Sequence, residues 1–206
     1  MDDTITKTPD YEPIQNLITT LLGTGKKYDI DKIKRAFVIA DELHAGQFRV
    51  SGEPYISHPI AVAEIVAGLE LDTDSICAAL LHDTVEDTPV TLEQIRAEFG
   101  EEVARLVGEE SSDKTRSWEE CKSAVIARIK AASREEQMLT LSDKLANMRS
   151  IAYDYAREGD EAWKCFKRGY DKQKWYYTNL KEAFSALADV EEYREFAALV
   201  DSVFVK

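Results

Sequence analysis

Apolar side chains recur along the chain at intervals of three and four residues, the spacing that places them on one face of an α-helix. Such segments cover residues 14–22, 33–43 and 61–69, and others continue to a closing segment at 193–204. No stretch alternates apolar and polar positions over more than a few residues, so strands are not expected. The pattern predicts an all-α fold of roughly eight to ten helices in one domain, residues 1–206.

One segment departs from ordinary helical patterning. The apolar run at residues 76–81 lacks Gly and Pro and leads directly into His82, Asp83, Glu86 and Asp87. In a continuous helix, His82 and Glu86 share a face because they are four residues apart. Carboxylates are rarely buried unless they are paired or bind a metal. The imidazole and carboxylate pair therefore indicates a divalent-metal site, with the following acidic pair placed to act on a water molecule.

A second unusual segment, residues 44–59, holds two of the three histidines, two glycines and two prolines. These residue types predict turns, and Pro59 suits the first turn of a helix because it has no amide hydrogen to leave unpaired. The pattern places His58 at the start of that helix. A loop has little packing reason to hold so many special residues, so the segment is a functional candidate.

A third segment contains Asp143 and Asn147, which are four residues apart within a helical apolar pattern. Each polar residue has an ordinary explanation on its own, such as a solvated helix end or a surface ion pair. Together, His58, His82, Asp83 and Asp143 supply two imidazoles and two carboxylates. This mixed set suits Mn²⁺, and Fe²⁺ or Zn²⁺ less well.

The overall charge narrows the classes of partner. The 206-residue chain carries a net charge of −13, which disfavours binding to nucleic acid or an anionic membrane but still permits a small anionic ligand beside a metal. Its three widely spaced cysteines indicate a reducing compartment. Residues 1–12 are polar and predict a loose arm without a leader sequence. The expected location is the cytoplasm, and the oligomeric state stays open.

Three motifs together resemble a known family. The order H-x-G-Q-x-R-x-S-G-E-P-Y-I-x-H-P at residues 44–59, H-D-T-V-E-D-T at 82–88 and D-K-x-x-N at 143–147 is similar to the HD-domain hydrolases that degrade the alarmones ppGpp and pppGpp. The similarity spans residues 33–147 and implies an HD-domain helical bundle. Larger members also carry a synthetase domain, for which this chain is too short, so it resembles the stand-alone small alarmone hydrolases.

The resemblance implies Mn²⁺-dependent hydrolysis of the 3′-pyrophosphate, giving GDP or GTP and pyrophosphate. It assigns Glu86 and Asp87 to the attacking water and its protons. It assigns a single Mn²⁺ to His58, His82, Asp83 and Asp143.

The resemblance also implies a set of nucleotide contacts. A bulky aromatic side chain on a late helix stacks on the base in the family, and Trp175, Tyr176 and Tyr177 are the candidates, with Tyr177 taken first. The family often has Lys after the loop arginine, whereas this chain has Val50. The other implied substrate-binding residues are Arg49, Ser51, Lys144 and Asn147.

Two alternatives remain at this point. The same metal and water chemistry serves a phosphohydrolase for adenine alarmones (pppApp, ppApp) or for the 2′-phosphate of NADPH, and Val50 keeps that possibility open. A non-catalytic alarmone-binding module is the other alternative. Its expected mark is a missing acidic residue or metal ligand, and none is missing here.

Overall fold

The structure is a computed structural model that describes residues 12–110 and 116–204. Nearly all of the predicted N-terminal arm therefore lies outside the described residues. The described parts contain eleven α-helices, three 3₁₀ helices and one isolated bridge between Phe48 and Pro54, with no strand assigned in them. The predicted all-α class is confirmed, and ten of the α-helices are longer than a single turn.

The α-helices are numbered here in chain order. The 3₁₀ helices are Glu12–Ile14, Gly159–Cys165 and Ser185–Leu187. The α-helices are α1 Gln15–Gly23, α2 Ile30–Leu43, α3 Ser57–Gly68, α4 Thr73–Leu81, α5 Thr84–Asp87, α6 Leu92–Phe99, α7 Glu101–Glu110, α8 Trp118–Ala131, α9 Arg134–Glu158, α10 Gly169–Ala183 and α11 Glu191–Val203.

Helix α4 lies at the centre of the bundle and contacts α2, α3, α7 and α9. Its residues from Ile76 to Leu81 are all buried, which explains why this run is apolar on every side rather than on one stripe. A fully buried leucine such as Leu80 contributes roughly 1.5–3 kcal/mol relative to an exposed one. The packing of α4 therefore fixes the position of whatever follows Leu81.

The sequence predicted that α4 continues through Glu86, and this prediction is wrong. The helix ends at Leu81, His82 and Asp83 form a turn, and α5 follows as a single turn. The buried hydroxyl of Thr84 donates to the carbonyl oxygen of Leu81 at 2.6 Å. Such a local side-chain bond competes with the regular helical pattern. The break lets His82 stay in the core while α5 reaches the surface.

Helix α9, with 25 residues, supplies the third part of the site. It begins at a capping box in which the Ser133 side chain accepts from the Glu136 amide and the Glu136 side chain accepts from the Ser133 amide. Its contacts with α3, α4 and α11 place the middle of the helix against the ends of α3 and α4. No helix in the described ranges has the length and apolar character to cross a membrane.

Candidate functional site

Three buried side chains from three helices meet at one point. His58 lies in the first turn of α3, His82 follows the last residue of α4, and Asp143 lies in the buried middle of α9. Asp143 Oδ1 is 3.1 Å from His58 Nε2 and 3.7 Å from His82 Nε2. The ligand atoms of the three residues lie within 4.8 Å of one another, a spacing that fits coordination of one ion.

The hydrogen bonding of His82 fits a metal ligand. Its Nδ1 lies 2.8 Å from the Ala79 carbonyl oxygen, which can only accept, so Nδ1 carries the proton. Its Nε2 is buried and makes no well-aligned hydrogen bond within the described parts of the chain, although Asp83 Oδ2 is 3.1 Å away. A buried imidazole nitrogen facing two carboxylates needs either a proton or a metal cation between them. The donor set therefore fits a divalent metal.

Asp83 borders the three-residue cluster. Its Oδ2 lies 3.1 Å from His82 Nε2 and 3.8 Å from His58 Nε2, so it faces both imidazoles. The Tyr55 hydroxyl donates to the same oxygen at 2.7 Å. Burial and the charge of Asp83 raise the pKa of Tyr55, so its hydroxyl remains a donor at neutral pH.

The charges around Asp143 hold it in the ionised form. Burial opposes ionisation, but the ammonium group of Lys144 and the hydrogen bond with His58 outweigh burial and keep the pKa of Asp143 well below its usual value. Lys144 forms an ion pair with Asp143 Oδ2, and Asn147 donates to Oδ1 at 2.7 Å. These contacts orient the carboxylate toward the two histidines.

The two histidines respond differently to the same surroundings. Burial lowers the pKa of His58, which favours the neutral imidazole that binds metals. Burial also disfavours the charged form of His82, but the carboxylates of Asp83 and Asp143 outweigh it and raise its pKa. In the metal-free protein, His82 is therefore the histidine that carries a second ring proton and a positive charge.

The predicted acidic pair of α5 lies at the same cleft. Glu86 is half-buried and Asp87 is exposed, and both line a cavity of about 210 Å³, the metal cleft, together with the cluster and Asp83. Asp87 Oδ2 is 3.3 Å from the Tyr55 hydroxyl. The structure thus brings together all four predicted metal ligands and both predicted catalytic residues, while their roles stay predictions.

The loop at residues 44–56 is attached to this cleft by its side chains. The rings of His44 and Tyr55 stack with centroids 4.6 Å apart. His44 Nδ1 lies 2.9 Å from Gln47 Oε1, and Gln47 Nε2 donates to the Asp87 carbonyl oxygen at 3.3 Å. The third histidine, for which the sequence offered no role, therefore supports the loop that carries Arg49.

A second cavity of about 290 Å³ adjoins the metal cleft. Arg49, Tyr55 and Asn147 line both cavities. The remaining residues of the second cavity are mostly apolar or small: Phe48, Val50, Ser51, Ser150, Ile151, Asp154, Cys165, Phe166 and Tyr177.

The predicted substrate-binding residues divide between these two cavities. Lys144 lines the metal cleft, Ser51 and Tyr177 line the second cavity, and Arg49 and Asn147 lie where the cavities meet. Of the three aromatic candidates on α10, only Tyr177 lines the second cavity among the described residues.

Sequence reasoning missed three polar residues that line the metal cleft: Tyr55, Glu110 and Lys122. Tyr55 lies inside the first motif, so its signal was present but was assigned no role. Glu110 is the last residue of α7 and begins a polar stretch without periodicity, and Lys122 lies near the start of α8 in an ordinary helical pattern. Only the tertiary structure reveals that they face the cleft.

Comparison with known proteins gives a consistent picture. A "Probable GTP pyrophosphokinase" of Mycobacterium leprae is 37% identical over 210 residues, covering 94% of this chain and 26% of the relative. A Haemophilus influenzae protein named guanosine-3′,5′-bis(diphosphate) 3′-pyrophosphohydrolase is 46% identical over 120 residues, covering 55% of this chain and 18% of the relative. The chain thus spans no more than 26% of the length of these curated relatives.

Similarity also extends to a solved structure. A protein described as a metazoan ortholog of SpoT that hydrolyzes ppGpp matches with a TM-score of 0.69 and 25% identity, covering 87% of this chain and 97% of that one. The profile described as HD domain matches residues 36–167, more than half of the sequence and the part that contains every candidate metal ligand. The chain belongs to the HD domain family.

Proposed function

We propose that this protein is a metal-dependent phosphohydrolase that removes the 3′-pyrophosphate of ppGpp or pppGpp, giving GDP or GTP and pyrophosphate. The observation that carries the proposal is the buried cluster of His58, His82 and Asp143 at the bottom of a cleft that continues into a nucleoside-sized pocket. The name of the Haemophilus relative and the description of the metazoan structure support the same reaction.

The metal in this proposal is one Mn²⁺ held by His58, His82, Asp83 and Asp143. Two imidazole nitrogens and two carboxylates form the mixed donor set that such first-row ions accept. A divalent cation at this position supplies a Lewis acid for the phosphoryl group and makes a water molecule more acidic.

The residues of α5 and the 44–56 loop handle the water. A carboxylate oxygen of Glu86, half-buried at the cleft, accepts a proton from the attacking water. Asp87 assists at the rim, and the Tyr55 hydroxyl holds Asp83 in place at 2.7 Å. The bond between the phosphorus and the ribose 3′-oxygen then breaks, and that oxygen takes a proton from solvent.

The second cavity receives the nucleoside. Arg49 and Asn147, at the junction, contact the phosphate and the ribose, and Ser51 contributes a hydroxyl. Tyr177 is 95% buried, and one face of its ring is covered by the stacked ring of Phe204. It therefore offers the base an aromatic edge rather than an open face. Phe48 and Phe166 supply further apolar wall.

An alternative with the same chemistry is an enzyme for adenine alarmones or NADPH 2′-phosphate. The observation that favours it is Val50, whose side chain is 81% exposed beside the second cavity and provides no charge there. A purely alarmone-binding module is disfavoured, because the acidic pair and all four candidate ligands face one cleft.

The test is product analysis on ppGpp, pppGpp, pppApp and NADPH, with Mn²⁺ and after chelation. We expect pyrophosphate and GDP or GTP from the guanine alarmones, and no turnover after chelation. Release of phosphate from NADPH alone, or pyrophosphate from pppApp alone, identifies the alternative. Full activity in the chelated protein contradicts the proposed metal chemistry.

Two further predictions accompany this proposal. We propose that one domain formed by residues 1–206 carries the activity, and that the protein works in the cytoplasm. Cys77, Cys121 and Cys165 form no disulfide bond in the structure, which agrees with a reducing compartment.

A further inference from the structure

Lys122 is a cation in the metal cleft for which the described residues supply no ion-pair partner. It lies on α8, is half-buried and lines the cleft with the candidate metal ligands. No carboxylate within residues 12–110 and 116–204 forms an ion pair with it.

The nearby carboxylates have other partners. Asp143 is paired with Lys144, and Glu110 Oε1 accepts from Arg128 at 3.0 Å and from the Thr140 hydroxyl at 2.6 Å. Burial and the neighbouring ammonium of Lys144 lower the pKa of Lys122, and the carboxylates of Asp143 and Glu86 offset this only in part, so its charged form is held at a cost. An ammonium group in this position is complementary to an anion that arrives with a ligand.

The side chain of Lys122 is held in place by aromatic rings. Its Nζ lies 5.0 Å from the centroid of the buried Tyr176 ring, within the range of a cation–π contact. Trp118 packs against the same ring with centroids 6.0 Å apart. A fixed ammonium loses less conformational entropy on binding an anion than a free surface lysine does.

The position of Lys122 relative to the two cavities indicates which anion it binds. Arg49 lines both cavities, whereas Lys122 lines the metal cleft and is not part of the second cavity. A nucleotide with its base in the second cavity and its 3′-phosphorus at the metal has its outermost 3′-phosphate on the side of the cleft away from the nucleoside. Among the described residues that line the cleft, Lys122 is the remaining cation on that side, because Lys144 is paired with Asp143.

We propose that Lys122, supported by Tyr176, binds the distal phosphate of the 3′-pyrophosphate and thereby makes the cleft selective for a diphosphate over a monophosphate. This inference rests on the proposed function, because it takes the reacting phosphorus to lie at the metal. It assigns to Lys122 a specificity role and leaves the proton transfer with Glu86.

The first experiment measures binding of inorganic pyrophosphate and inorganic phosphate to the Mn²⁺-loaded protein by calorimetry. Lys122→Met keeps the length of the side chain without its charge, and we expect about tenfold or greater loss of pyrophosphate affinity, as for loss of a hydrogen bond to a charged group. Phosphate affinity is expected to change less than pyrophosphate affinity. Lys122→Arg, which keeps the charge, is expected to restore most of the pyrophosphate affinity.

Lys172 provides a matched control. It is an exposed lysine on α10 that pairs with Glu119 of α8 at 3.0 Å, on the same pair of helices but outside both cavities. Lys172→Met is expected to bind pyrophosphate like the unmodified protein. Melting temperature and Mn²⁺ affinity, measured for each variant, separate a lost contact from a damaged fold.

The second experiment compares hydrolysis of ppGpp with that of the analogue carrying a single 3′-phosphate. Lys122→Met is expected to raise KM for ppGpp and to reduce the preference for the diphosphate. The inference is overturned if pyrophosphate affinity is unchanged in Lys122→Met, or if phosphate affinity falls equally. Failure of the unmodified protein to hydrolyse ppGpp contradicts the proposed function instead, and the calorimetric result still decides whether Lys122 binds the distal phosphate.

Discussion

The metal cleft and the second cavity share Arg49, Tyr55 and Asn147 but are built in different ways. In the cleft, charged side chains from several helices are held by hydrogen bonds and ion pairs to one another. In the second cavity, aromatic and small side chains from one loop, one face of α9, the segment before α10 and α10 itself form a largely apolar wall. The chemistry therefore depends on exact placement, because unpaired buried charges are costly, whereas an apolar wall tolerates exchange of its side chains.

The largest expected effect comes from removing a metal ligand. His82→Ala deletes the buried Nε2 that faces Asp83 and Asp143 and leaves those carboxylates to repel each other. Turnover should fall to background while the second cavity still binds guanosine nucleotides. Hydrolysis assays measure the loss of turnover, and equilibrium binding of GDP measures whether the second cavity still binds a nucleotide. Loss of GDP binding along with turnover would show that the two regions do not act separately.

The next effect is expected at Glu86. Glu86→Gln removes the proposed proton acceptor but keeps the size of the side chain, so kcat should fall roughly 10²–10⁴-fold, as expected for loss of a general base. Metal content and KM should change little. Steady-state kinetics and metal analysis test this. Loss of the bound metal would instead make Glu86 a metal ligand.

Tyr55, which belongs to both regions, should give an intermediate effect. Tyr55→Phe keeps the ring stacked on His44 and deletes only the hydroxyl that donates to Asp83. Metal affinity is expected to fall roughly 10–100-fold, as for other partners that orient metal ligands. Titration with Mn²⁺ measures the change, and GDP binding serves as the control. A larger fall in GDP affinity than in metal affinity would show that the Tyr55 hydroxyl serves nucleotide binding rather than the positioning of Asp83.

The proton balance of His82 should affect metal binding. Its pKa is raised in the metal-free fold, so its contribution to folding is complete below about pH 6.5 and is lost as pH rises through the folded-state pKa. Metal binding must displace that proton, so Mn²⁺ affinity should rise with pH, by up to about tenfold per unit. Calorimetry in two buffers of different ionisation enthalpy measures the proton. Proton uptake on binding would contradict the assignment.

The smallest effect is expected at the rim of the second cavity. Val50→Lys adds a cation to a side chain that is 81% exposed, where an ion pair contributes only about 0.2–1 kcal/mol. KM for ppGpp should fall a few-fold at low salt, with kcat unchanged and the gain lost at high salt. Val50→Gln is the uncharged control. A change in kcat would mean that the loop affects the metal cleft directly.

The sequence was sufficient to predict the cleft to the extent that its residues were chemically unusual. His58, His82, Asp83 and Asp143 were identifiable because paired imidazoles and carboxylates have no packing explanation in a helical core. The end of α4 at Leu81 was missed because it depends on the hydrogen bond from the Thr84 side chain. The spacing of apolar residues does not change at that point, so it does not reveal the break.

The second cavity and Lys122 were less accessible to sequence reasoning. Phe48, Ile151 and Phe166 come from three distant parts of the chain and look like ordinary apolar residues. Lys122 resembles any lysine on an amphipathic helix, and only the three-dimensional structure places it in the metal cleft without an ion pair to a described carboxylate. Such residues acquire meaning only from contacts between elements, which local periodicity does not encode.

Helix α9 fixes the distance between the candidate metal site and the second cavity. Asp143 lies at the metal cluster, Asn147 one turn later where the cavities meet, and Asp154 at the far side of the second cavity. At 1.5 Å per residue, the eleven steps from Asp143 to Asp154 measure about 16 Å along one rigid rod. Substitutions on its later turns can therefore change which nucleoside is accepted without moving Asp143 at the candidate metal site.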